Sequence, residues 1–152
     1  MILDSIDLSI LENVQKNGRI TNVELANITG ISAPPCLRRL KFLEKNGVIT
    51  GYHAEIAPEF FGYGFKATTI VRLSSQNTRD ISTFINNVSK FKNVRSCFST
   101  PGEQEFVLTI IAQNIQEYDK FLESYIQSDR NVMEIKTYIH MKGHKNESGI
   151  PL

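Results

Sequence analysis

Hydrophobic positions along the chain change their period once, near residue 47. Up to that point they recur as in helices. Leu8, Ile10, Leu11 and Val14 make one apolar series, which Asp7 is placed to cap and which stops near Asn17-Gly18. Thr21-Asn22-Val23-Glu24 has the capping-box spacing, in which hydroxyl and carboxylate satisfy the first free backbone donors. The helix it opens runs through Leu25, Ala26 and Ile28 to Thr29-Gly30. Ser32 is the next N-cap candidate, and Pro34 and Pro35 follow where missing N–H groups cost nothing. This third helix extends to Asn46-Gly47. Three helices with a three-residue, glycine-containing link between the last two are the helix-turn-helix pattern.

Beyond Gly47 the period shortens. Val48 to Ile56 is rich in β-branched and aromatic residues and reads as extended. Ala57-Pro58-Glu59, with Gly62 and Gly64 behind it, reads as a hinge. Six elements follow: a strand over 66–73, a helix over 80–91, strands over 94–99 and 105–112, a helix capped by Asn114, and a strand over 132–141. The second of these helices carries Tyr118, Phe121, Leu122, Tyr125 and Ile126 at i, i+3, i+4, i+7 and i+8. The order β-α-β-β-α-β predicts a ferredoxin-like arrangement, four antiparallel strands with both helices on one face. The fold class is therefore α+β. Its domains are a winged helix-turn-helix over 1–56, a hinge over 57–64, a ferredoxin-like domain over 65–145 and a flexible tail over 146–152.

The other sheet face has no cover in the chain, yet it is not polar. Met133, Ile135, Ile139 and Met141 alternate against Val132, Tyr138 and His140, and Phe106, Leu108 and Ile110 against Val107 and Ile111. Two apolar faces predict a second copy packed on the open one, and so at least a homodimer.

Composition narrows the function classes. The chain has 152 residues, 41% hydrophobic and 22% charged, which suits a folded globular protein. No apolar run approaches a membrane span, and the first residues lack the basic and apolar regions of a secretory signal, so a cytoplasmic location is expected. Cys36 and Cys97 form no CxxC pair, and His53, His140 and His144 no ligand cluster, so neither a metal nor another cofactor is expected. The net charge of +1 is uninformative, because only the local distribution speaks to nucleic acid.

That distribution is uneven on the third helix. On a wheel of about 100° per residue, Cys36, Leu40 and Leu43 share one side, and Pro34, Arg38, Lys41 and Lys45 share the other. From Arg38 to Lys45 there are four basic residues and one acid, Glu44. An isolated basic helix face is ordinarily just solvated. On the second helix of a helix-turn-helix, opposite its packing side, it predicts docking in the major groove of double-stranded DNA. Ser32, Ala33 and Pro34 would lie near base edges, and Arg38 and Lys41 would meet guanine or phosphate. Arg39 and Lys45 complete the candidate set, with Arg19 as a backbone contact that a solvated arginine explains nearly as well.

These residues carry a family resemblance. Leu3-Asp4, Asp7, Ile10-Leu11, Asn17-Gly18-Arg19, Leu25-Ala26, Ser32-x-x-Pro35-Cys36-x-x-Arg39-x-x-x-Leu43-Glu44 and Gly47-Val48-Ile49-x-Gly51-Tyr52 resemble the DNA-binding half of the Lrp/AsnC, or feast/famine, transcription regulators. Gly102, Glu105, Val132, Thr137 and Tyr138 extend the likeness into the second half. The resemblance implies sequence-specific DNA binding, dimers that assemble to tetramers or octamers, and a small effector, typically an amino acid, bound between effector domains. The family's usual Thr-Gly-Asp-Tyr-Asp turn here reads Pro101-Gly102-Glu103-Gln104-Glu105. Its carboxylates could hold an effector's ammonium, and a β-turn with solvated acids accounts for them equally well. The candidate effector residues are Gly102, Glu103, Gln104, Glu105, Thr137 and Tyr138. No catalytic residues are assigned and an enzyme is not expected. Some siroheme decarboxylases share this two-domain plan, with His140 or Arg95 as the groups to serve a tetrapyrrole, and an architectural DNA-compacting protein is a further alternative.

Overall fold

The computed structural model describes residues 2–75, 77–101, 105–145 and 149–152. The chain divides into two compact units, Met1–Glu55 with Lys145–Leu152, and Ile56–His144.

In the first unit, helix α1 spans Ser5–Lys16, α2 Asn22–Thr29 and α3 Ala33–Lys45. The cap of α1 is Asp4, three residues before the expected Asp7. Asp4 accepts from the Asp7 N–H at 2.9 Å, and Asp7 accepts from the Asp4 N–H at 3.2 Å. Two aspartates thus make a reciprocal box, in which Asp7 serves as the acid of the first turn. The Thr21/Glu24 box opens α2 as its spacing predicts, and α2 ends on Gly30, whose φ of 70° is left-handed. Ser32 precedes α3 without a capping bond from its hydroxyl, so the prolines set that start.

Ile10, Val14, Leu25, Ala26, Cys36 and Leu43 form the buried centre of this unit, one contribution at least from each helix. The segment after α3, expected to be extended, joins no sheet among the described residues. It is held instead by Tyr52, whose hydroxyl donates to Glu44 Oε1 at 2.9 Å.

In the second unit a 3₁₀ turn, Pro58–Phe61, precedes strand β1, Phe65–Leu73. Then come α4 (Thr78–Val88), β2 (Val94–Ser99), β3 (Glu105–Ala112), α5 (Ile115–Phe121) running into a π-helical turn (Leu122–Ile126), and β4 (Val132–Ile139). Asn77 caps α4, so that helix begins before Asp80 and ends before Phe91. The strands are antiparallel in the order β2-β3-β1-β4, the ferredoxin-like topology.

Val71, Leu108, Ile110, Phe84, Val88 and Ile126 lie in the core between sheet and helices. One polar bridge crosses that core: the Tyr118 hydroxyl shares hydrogen bonds with Thr69 Oγ1 at 2.8 Å and Thr137 Oγ1 at 2.6 Å. The register of β4 corrects one expectation. A bulge falls between the pairs Arg72↔Glu134 and Leu73↔Val132. Val132 therefore packs with Ile135 on the helix side, instead of sharing a face with Tyr138 and His140.

Candidate nucleic-acid interface and effector region

Alternation of packing and solvent positions on α3 determines what it presents. Cys36 and Leu43 are fully buried, and these fix the helix against α1 and α2. The opposite side carries Pro34, Arg38, Lys41 and Lys45, all exposed. Among the described residues, Arg38, Lys41 and Lys45 enter no ion pair with an acid of the chain. Three cations along one ridge thus keep their full charge for an external anion. Ser32 and Pro34 are exposed at the start of the helix, with Ala33 half-buried between them. Arg19 is exposed just before α2.

Arg39 differs from its neighbours. Its Nη1 donates to Asp4 Oδ2 and to Asp7 Oδ1, both at 2.8 Å. The two carboxylates raise the arginine's pKa above its ordinary value, with Asp7 the larger cause. Asp4 is held below the ordinary carboxylate range, first by the Asp7 N–H and then by the Arg39 guanidinium. Arg39 thereby joins α3 to the start of α1, which the sequence spacing alone did not reveal.

Two apolar side chains were missed by the charge pattern. Leu37 is 39% and Phe42 50% exposed, flanking the basic ridge on either side. Their place on the helical wheel, off the side of Cys36, Leu40 and Leu43, was the available signal. Asn22, within the capping box, also acquires a role: its Nδ2 donates to the Ala33 carbonyl at 2.9 Å, tying the start of α2 to the first turn of α3.

The effector candidates are less concentrated. Gly102, Glu103 and Gln104 lie outside the described residues. Glu105 opens β3 opposite Arg72, on the sheet face away from the helices. Thr137 points to the helix side, where it meets Tyr118. Tyr138 points to the open face, opposite Thr68. Thr137 and Tyr138 are therefore separated by the sheet itself. Glu105 and Tyr138 share a face but stand four residue steps apart in register, roughly 13 Å along the strands.

His140 and Arg95 are placed apart too. His140 Nε2 shares a hydrogen bond with Thr68 Oγ1 at 2.8 Å, and Arg95 Nη1 donates to the Lys92 carbonyl at 3.2 Å. The open face also carries Ile70, Val107 and Ile111, with Phe98 65% and Tyr138 57% exposed. No helix among the described residues is long and apolar enough to cross a membrane.

Comparison with known proteins places both units. Residues 3–50 match the winged helix-turn-helix DNA-binding family, and residues 66–150 match the Lrp/AsnC ligand binding domain. The leucine-responsive regulatory protein of Rhizobium meliloti (strain 1021) is 38% identical over 144 residues, 95% of this chain and 92% of that protein. The proline dehydrogenase transcriptional activator of Rhizobium radiobacter is 32% identical, covering 97% of this chain and 94% of its own. Among solved structures, a transcriptional regulator of Neisseria meningitidis in complex with L-Met superposes with a TM-score of 0.93 at 32% identity, covering 99% and 97% of the two chains. Winged helix-turn-helix, ferredoxin-like unit and these likenesses agree: the chain belongs to the Lrp/AsnC family of DNA-binding transcription regulators.

Proposed function

We propose that α3 enters the major groove, with Ser32, Ala33 and Pro34 at the base edges and Arg38, Lys41 and Lys45 on guanine or phosphate. The observation that carries this reading is the ridge of three exposed cations that enter no ion pair among the described residues, opposite the buried Cys36 and Leu43. Leu37 and Phe42 are apolar enough to meet thymine methyl groups beside it. Arg39 acts from behind the interface, as the residue that holds α3 on α1. Arg19 adds a backbone contact before α2.

A DNA reader with twofold symmetry binds two half-sites. The open sheet face, with Ile70, Val107 and Phe98, supports a homodimer that buries this surface, and dimers then assemble to tetramers or octamers. The second unit takes a small effector, an amino acid, as the L-Met complex of the Neisseria relative suggests. Glu105 and Tyr138, with Gly102, Glu103 and Gln104 from outside the described residues, are the residues offered to it. The protein acts in the cytoplasm on operator DNA, and the reading includes no catalytic step. Effector control of this kind requires different affinities for two states of the assembly.

Gel shifts with duplexes enriched from a random pool test the interface. Arg38→Ala and Lys41→Ala should each weaken binding by about 1–3 kcal/mol where the residue reads a base. Where it touches phosphate, affinity should fall uniformly across sequences and the salt slope should flatten. Wild-type affinity in both variants would show that α3 does not read DNA.

A further inference from the structure

DNA contact and effector binding leave one built feature of the first unit without a role. Gln15, exposed near the end of α1, meets the backbone of Ile150 twice. Its Nε2 donates to the Ile150 carbonyl at 2.7 Å, and the Ile150 N–H donates to Gln15 Oε1 at 3.0 Å. One side-chain amide therefore satisfies both polar groups of a peptide residue, as a neighbouring strand would. Such a pairing recognises backbone in a fixed register.

The surroundings are shaped for the same segment. Gly149 has φ +90°, where L side chains are strained, and a Cβ there would overlap the Gln15 amide. Pro151 has no N–H to leave unpaired. Leu11 and Val14 of α1 and Val48 and Tyr52 after α3 wall one side of a cleft of about 610 Å³ whose other side is Ile150 and Leu152 themselves, both still more than half exposed, so the segment lies along the rim of the cleft. Connectivity gives the contact a consequence. The chain leaves the first unit after Glu55 and rejoins it at Lys145, beyond β4, so docking of 149–152 adds a non-covalent hold on the first unit to the chain link after Glu55.

We propose that the Gln15 amide and the apolar rim beside it are a peptide-binding site whose ligand is the 149–152 segment of the same chain, and that its occupancy tethers the DNA-binding unit through β4 in addition to the 57–64 hinge. The ligand class is a short extended apolar peptide with glycine at its first position. Docking restrains how freely the DNA-binding unit reorients, and release leaves the hinge alone to hold it.

Two full-chain variants test this. Gln15→Met keeps the length of the side chain on α1 and removes the amide; Gly149→Val forbids the observed backbone. In the wild type the Ile150 amide should exchange with solvent at least about tenfold more slowly than in a free peptide. Both variants should return it to the free rate while the amides of Val14 and Leu43 stay protected, which shows the unit still folded. Nitrogen-15 relaxation should then report shorter correlation times for α1–α3 in the variants than in the wild type. Free-rate exchange at Ile150 in the wild type would overturn the site. Unchanged correlation times in both variants would overturn the tether. Neither readout uses DNA, so their outcome is separate from that of the gel shifts.

Discussion

Arg39 on α3 and Asp7 on α1 are joined by a 2.8 Å ion pair in which the Asp7 side chain is only 11% exposed. The same guanidinium nitrogen also reaches Asp4, so one arginine engages both members of the α1 capping box. An ion pair this deep is worth most as a constraint, because removing one member strands the other in a poorly hydrated place.

Arg39→Met tests that constraint. The variant keeps an apolar stem but leaves Asp7 without its cation, so the melting temperature of the first unit should drop by several degrees. DNA affinity measured well below that temperature should retain its salt slope, because Arg39 neutralises Asp4 and Asp7 and no phosphate. A lower slope with unchanged melting would instead make Arg39 a DNA contact.

Acid should act on the same place. Asp4 ordinarily titrates near 3.8 and is lowered in the folded chain. Glu24, ordinarily near 4.5, is lowered as well, first by the Thr21 N–H and then by the Thr21 hydroxyl. A lowered carboxylate pKa contributes stability that is present above the ordinary value and lost as pH falls through the folded one. Helix signal followed from pH 6 to pH 2 should therefore show the first unit weakening below about pH 4.5. Asp4→Asn should reduce that dependence.

The second unit has its own test in the Tyr118 bridge. Thr69 is fully buried and its hydroxyl is satisfied by the tyrosine. Tyr118→Phe keeps the ring packed on Phe65 but leaves the Thr69 and Thr137 hydroxyls without it. Stranding a buried hydroxyl costs about 1–3 kcal/mol, which chemical denaturation of the second unit would read. The double variant Tyr118→Phe with Thr69→Val should recover part of the loss, since no unsatisfied hydroxyl then remains at that position.

Much of this was legible in the sequence because each signal was local. The Thr21/Glu24 box and the opposed faces of α3 depend on residues within two turns of each other and appear where spacing put them. Of the expected stripe Tyr118, Phe121, Leu122 and Ile126 are buried, but α5 gives way to a π-helical turn at Leu122 and Tyr125 is left exposed. What the spacing concealed depends on distant partners. Arg39 looked like one more cation until folding brought Asp4 and Asp7 to it from more than thirty positions away. Plain alternation puts Val132 with Tyr138 and His140, but a single bulged residue resets the period of β4 and turns it to the helix side. Thr137 and Tyr138, adjacent in sequence, could not share a surface once their segment became a strand. The Gln15–Ile150 pair, 135 positions apart, left no local trace at all.

Assembly offers the remaining prediction. Ile70 stands in the middle of the open face, opposite Val107 on β3 and Lys136 on β4. Its side chain points away from the core, so Ile70→Asp should leave the fold and melting of an isolated chain nearly unchanged. If the sheets pack face to face, that carboxylate is buried in the interface and loses hydration that Lys136 across the strand, already paired with Glu134, replaces only in part. Sedimentation at micromolar concentration should then show the variant as a monomer where the wild type is a dimer or larger. DNA binding should fall with it, because two half-sites presented together are held far more tightly than one. Arg38→Ala should lose affinity with its assembly intact, whereas Ile70→Asp should lose affinity only as a consequence of dissociating. A dimeric Ile70→Asp protein would place the subunit contact on some other surface.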